Sequence, residues 1–184
     1  MKRILSLLLV AINIFAFVGC SQEAPEVNVS ISDILEDIKE KMTEDMKEAG
    51  QKINSFDEWK IEMLKLAEIA VSEGRLINAA YYYRAAELFT TREDPNKERL
   101  YNKFIDHFHK AFQEDDIRAF EVPYNDTFLP AIRIQPANTE GKGTVVLHGG
   151  FDSFIEELYS LMKYFSDNGY EVVAFEGPGQ GAAR

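Results

Sequence analysis

Two glycine-rich stretches hold the residue types best suited to chemistry in this chain. His148-Gly149-Gly150-Phe151 follows the apolar run Thr144-Val145-Val146-Leu147, and Gly177-Pro178-Gly179-Gln180-Gly181 follows Tyr170 to Glu176. Glycines placed where a short apolar strand ends let the backbone turn sharply and bring bare N–H groups against a ligand oxygen. In a parallel α/β sheet, ligands gather at the carboxyl ends of the strands, close to the positive ends of helices. Backbone amides so placed suit one job above others, which is to stabilise the negative oxygen of a tetrahedral intermediate.

The flanking segments explain how both turns reach one rim. The runs 144–148 and 170–176 are short, dense and rich in β-branched residues, and they flank a helix-period segment from about Phe154 to Asn168 that closes at Gly169. Two continuous apolar strands around one helix predict a parallel pair with a right-handed crossover. Upstream, residues 117–123 and 128–136 alternate apolar and polar around Tyr124-Asn125-Asp126-Thr127, as an antiparallel hairpin does, and residues 138–143 form the next turn. On this reading the strand at 171–176 is the uncovered edge of the sheet.

The segment before the strands is helical throughout. Ile34, Leu35, Ile38, Met42, Met46, Ala49 and Ile53 keep three-to-four spacing, with Ser30 and Asp33 as a weak capping pair. Ser55-Phe56-Asp57-Glu58 is a capping box in which the serine takes the amide of residue 58 and Glu58 reaches back to the cap amide. The second helix that follows buries Trp59, Met63, Leu66, Ala67 and Ala70 and stops at Gly74. A third helix spans residues 77–89, and Asp94-Pro95 starts a fourth that buries Leu100, Phe104, Phe108 and Phe112. Tyr81, Tyr82 and Tyr83 read as packing residues.

The order of these features resembles one family. H-G-G-x-D-S followed by E-E and a helix, then a strand and E-G-P-G-Q-G, is similar to the alpha/beta-hydrolase fold. The likeness is to the branch with the FrsA-like esterases and the dihydropseudooxynicotine-hydrolase-like enzymes. The helical segment Ala79 to Phe89, Asp94-Pro95, Val122-Pro123-Tyr124 and Leu129-Pro130 extend the likeness over roughly residues 55 to 184.

The resemblance implies a fold class of α/β type, with an N-terminal helical block followed by the first strands of a hydrolase sheet. It also implies a serine hydrolase of esterase or peptidase kind acting on a small-molecule or peptide acyl substrate, without cofactor. The backbone of Gly150 or Phe151 would supply an oxyanion-hole donor, with His148, Gly149, Gly177, Gly179 and Gly181 supporting the turns. No G-x-S-x-G elbow occurs, and the nucleophile, acid and histidine are expected beyond Arg184. The 184 residues are therefore expected to be a truncated form, inactive alone. Ser153 lies at a helix start and does not replace the missing nucleophile. His107 and His109, two apart on a helix, point to different faces, so no metal is expected.

Composition narrows the partners. Twenty basic residues against 31 acidic ones give a formal net charge of −11, which repels nucleic acid, and no basic cluster offsets it. Lys2 and Arg3 precede an apolar run from Ile4 to Val18 that is too short to span a bilayer, and Phe17-Val18-Gly19-Cys20 resembles a bacterial lipobox. Residues 1–19 are read as a lipoprotein signal peptide, Cys20 as the lipidated residue, 20–29 as a tether, 30–113 as a helical domain and 114–184 as the partial hydrolase core. A membrane-anchored location in the cell envelope follows from that reading. With a single cysteine, no internal disulfide can form. The competing reading is a non-enzymatic binding lipoprotein whose helices, from Trp59 through Ala85, follow a tetratricopeptide-like pattern. That pattern lacks a second copy and leaves the strands unexplained.

Overall fold

The computed structural model describes residues 29–138, 141–150 and 152–183, with side chains from residue 38 onward. The expected signal peptide, Cys20 and nearly all of the tether lie outside these residues, as does Phe151. The chain divides into two compact units, Met1–Ala111 and Phe112–Arg184, so the boundary falls two residues before the one read from the sequence.

The first unit contains four helices, α1 (Val29–Gly50), α2 (Phe56–Ser72), α3 (Leu76–Leu88) and α4 (Asn96–Ala111). Ser30 falls inside the first turn of α1 instead of before it. Ser55 caps α2 by accepting from the Glu58 amide at 3.2 Å. The reciprocal bond differs from expectation: Glu58 Oε2 accepts from the Asn54 amide at 2.6 Å, one residue beyond the cap. At the other end Gly74 has φ +74°, the Gly74 amide donates to Val71 O at 3.1 Å and the Arg75 amide to Ala70 O at 2.8 Å. This is the paired bonding of a Schellman stop.

Helix α3 packs against both α2 and α4, and it buries Asn78, Ala79, Ala80, Tyr82, Tyr83, Arg84, Ala86 and Glu87. That all-round burial explains its mixed polar and apolar sequence, because each buried polar group has a partner. Tyr82 Oη donates to Asp45 at 2.8 Å, and Glu87 is held between Arg84 at 2.7 Å and Lys97 at 2.8 Å. Trp59 donates its indole N–H to Ala85 O at 2.7 Å. The tyrosine run thus packs within the helical unit.

The second unit is a four-stranded sheet with strands β1 (Ile117–Tyr124), β2 (Thr127–Ile134), β3 (Thr144–His148) and β4 (Glu171–Phe175). The spatial order is β1-β2-β4-β3. β1 and β2 form the expected hairpin, with Tyr124 opposite Thr127 and Asn125 at φ +49° in the turn between them. β2 runs antiparallel to β4, and β4 runs parallel to β3 with Val146 opposite Val173 and His148 opposite Phe175. The crossover starts as a 3-10 helix, Ile155–Leu158, and continues as α5 (Tyr159–Asp167), so the expected single helix has two parts.

The order corrects the expectation that 171–176 forms the edge. β4 is hydrogen-bonded on both sides, and the parallel edge is β3. Hydrophobic period identifies strands but not their neighbours, and here the chain returns from the crossover into the gap between β2 and β3. One sheet face, with Val172, Ala174, Ile132 and Ile134, is buried, and α5 packs on β4 and β2. On the opposite face Val146 remains 63% exposed. Strands this apolar suit burial on both faces; among the described residues the second face is covered over β2, where Leu129 and Ala131 are buried, and open at β3.

Candidate functional site: a rim of two glycine turns

Because β3 and β4 are parallel neighbours in register, their carboxyl ends finish side by side. His148 and Phe175 are directly paired, and their rings meet edge to face with centroids 4.9 Å apart. The chain leaves β3 through Gly149 and Gly150, and leaves β4 through Glu176 into the Gly177–Gly181 turn. Gly149, Gly150, Gly177, Gly179 and Gly181 are therefore gathered on one rim of the second unit.

Three polar side chains fasten this rim. The Gly150 amide donates to Ser153 Oγ at 2.7 Å, and Gly149 is buried against Ser153. Gln180 donates through Nε2 to Gly150 O and accepts from the Gly177 amide at 3.3 Å. Glu176, 1% exposed, accepts from the Ile155 amide at 3.2 Å and so ties the end of β4 to the first turn of the crossover. Gly181 is fixed by that carboxylate: its φ is +45°, and a Cβ there would lie 2.0 Å from Glu176 Oε1. Gly179, at φ +84°, closes the turn by donating to Ala183 O at 2.8 Å.

The sequence reading located the rim but missed its fasteners. Gln180 is the one polar side chain in G-P-G-Q-G. Ser153, set aside as a nucleophile, acts on the Gly150 amide. The residue types were the available signal, since a lone amide or hydroxyl among glycines is the natural partner for freed backbone groups. His107 and His109 belong to α4 in the first unit: His107 Nδ1 lies 2.7 Å from Lys103 O, and burial lowers the His109 pKa. Among the described residues no cluster of His, Cys, Asp or Glu is arranged to hold a metal, and no helix is long and apolar enough to cross a membrane.

Beneath the rim lies an acidic cluster. Glu156, Glu157 and Glu176 are all buried, and Glu157 Oε2 accepts from the Phe154 amide at 2.7 Å. Burial pushes Glu156 up to about 7; a backbone hydrogen bond opposes the shift, and the charges of Glu176 and Glu157 add to it.

Strand order, crossover and rim define the class: an open α/β sheet with an amide-lined edge at the carboxyl ends of its parallel strands. The comparisons with known proteins show what the chain is similar to. No family model matches the chain. The 20-hydroxy-prefusarin hydrolase FUS2 of Gibberella moniliformis is 40% identical over 115 residues, covering 57% of this chain and 27% of that protein. The alpha/beta hydrolase gkaG of Penicillium citrinum is 33% identical over 113 residues, covering 57% and 26%. The solved structure of wild-type AbyA5 shares the fold at a TM-score of 0.66, with 16% identity over 84% of this chain and 46% of that one. The chain is thus similar to alpha/beta hydrolases over part of their length, and it spans about a quarter of the length of these two curated relatives.

The buried glutamate yields a pH prediction. Its folded pKa of about 7 exceeds its ordinary 4.5, so its protonation favours the folded state below pH 4.5, and that contribution is lost as pH rises through 7. Glu156→Gln removes this dependence. In urea unfolding, the stability of the variant relative to the native chain should rise by about 2–3 kcal/mol between pH 4.5 and pH 8. A difference constant across that range would show that Glu156 is not held protonated.

Proposed function

We propose that this chain supplies the oxyanion-binding rim and the helical block of a serine hydrolase of esterase or peptidase type. Its substrates are small-molecule or peptide acyl compounds, and it is exported and anchored at the cell envelope through a lipid on Cys20. One observation carries the hydrolytic reading: the Gly150 amide, on the exposed turn after β3, is already bound to an sp³ oxygen, Ser153 Oγ, at 2.7 Å. An amide that can bind a hydroxyl oxygen there can bind the oxygen of a tetrahedral intermediate in its place. The curated relatives named as hydrolases support the reaction class. A binding lipoprotein with tetratricopeptide-like helices gives no reason for the β3 and β4 turns to meet.

In the mechanism that the family implies, a serine attacks the acyl carbon, a histidine takes its proton and an acid orients the histidine. This chain contains no G-x-S-x-G elbow to present that serine, so its own residues contribute backbone donors and their support. Gly150, or Phe151 beside it, would donate to the developing oxyanion, while Gly149, Gly177, Gly179, Gly181 and His148 hold the turns.

Hydrolysis of p-nitrophenyl esters tests this reading, with the 184-residue chain compared to the product of its uninterrupted reading frame. The longer product should turn over ester, and Gly150→Pro should lower its kcat about 10²- to 10³-fold. The 184-residue chain should stay at the level of its own Gly150→Pro variant. Ester turnover by the 184-residue chain clearly above that variant would overturn the proposed division of labour. Lipid attachment has its own measurement: a labelled fatty acid fed to expressing cells should mark the chain and not its Cys20→Ala variant. Equal label in both, or in neither, would refute the anchor.

A further inference from the structure

We propose that Gln180 is a positioning residue for the hydrolytic rim, setting the Gly149–Gly150 turn by bridging it to the Gly177 turn. The inference rests on the proposed hydrolytic function and names a side chain on which that function depends. Gln180 Nε2 donates to Gly150 O, and Gln180 Oε1 accepts from the Gly177 amide at 3.3 Å. A carboxamide offers a donor and an acceptor in one rigid plane without charge. Here each end meets its complement, which fixes the orientation of the amide.

The bridge spans the two strands that carry the rim. Gly150 follows β3 and Gly177 follows β4, so the side chain ties loops 30 residues apart in sequence. Close approach at Gly177 makes the bridge compact, since a Cβ there would lie 3.0 Å from both Gln180 Oε1 and His148 Nε2. Gly150 is then held at both of its backbone polar groups, its N–H by Ser153 and its carbonyl by Gln180. When substrate oxygen displaces the Ser153 hydroxyl from that N–H, the Gln180 contact is the one that stays. Misplacement of a donor by about 1 Å can cost on the order of 100-fold in rate, which is the scale on which this contact acts.

The test separates the bridge from the reaction. Gln180→Glu keeps the acceptor for Gly177 and removes the donor for Gly150, whereas Gln180→Leu removes both. In ¹⁵N-labelled chain, Gln180→Glu should move the amide resonances of Gly149, Gly150 and Ser153 while the Gly177 amide, still bonded at residue 180, keeps its slow hydrogen exchange, and Gln180→Leu should lose that protection as well, a pattern that general loosening of the fold does not give. In the ester-hydrolysing product of the full reading frame, the same variant should lower kcat about 10- to 100-fold with KM changed by less than about twofold. Unmoved Gly149 and Gly150 resonances, or an unchanged kcat in an enzyme that does hydrolyse ester, overturn the proposal while the hydrolytic reading stands. If no form of the protein hydrolyses ester, the hydrolytic reading fails first and the catalytic role of Gln180 falls with it, leaving any resonance pattern as evidence of a structural tie alone.

Discussion

The pairing of β4 on both sides is the constraint on which the second unit depends. β4 runs antiparallel to β2 and parallel to β3; the parallel pairing brings the turns after β3 and β4 to the same rim, and the antiparallel one anchors that rim to the hairpin. If β4 lay outside β3, the two turns could still be neighbours, but the Glu176 amide would lose its 2.9 Å bond to Pro130 O on β2. The interior position of β4 also buries Val172 and Ala174 completely and leaves β3 to carry the exposed Val146. An apolar edge strand of this kind is a template for further pairing.

At the rim, backbone groups freed by the turns are claimed by side chains placed within a few residues or one strand away. Ser153 takes an amide and Glu176 an amide across the crossover, while Gln180 takes one amide and one carbonyl. Such satisfaction is what a turn near a sheet core requires, because buried backbone groups without partners are costly. It also leaves the Gly150 amide on a partner that a ligand oxygen can replace. The acids beneath the rim add a second constraint: three glutamates share a region with little exposure, and Glu156 holds its proton to about pH 7.

Much of this was readable in the residues, and the failures have specific causes. Period 2 identified β1 and β2, dense β-branched runs identified β3 and β4, and Ser55 and Gly74 marked the ends of α2 where caps form. Glycine placement located the rim, since Gly177 and Gly181 have neighbours that tolerate no Cβ without adjustment. Strand order was not readable, because Val145–Leu147 and Val172–Ala174 are nearly equivalent as apolar runs, and neighbour choice depends on where the crossover delivers the chain. Gln180 and Ser153 were visible as letters, but their roles depend on loop-to-loop distances that spacing along the chain does not encode. Glu58 shows the same limit on a smaller scale, bonding the Asn54 amide where a cap-residue amide was expected.

Amide hydrogen exchange, resolved residue by residue, tests the strand order most directly. With β4 paired on both sides, the amides of Val172, Val173 and Ala174 should all exchange slowly, while alternate amides along Thr144–His148 exchange fast because they face away from β4. The reverse pattern, with β3 uniformly protected and β4 alternating, would contradict the order β1-β2-β4-β3 and with it the anchoring of the rim to β2 through the Glu176 amide.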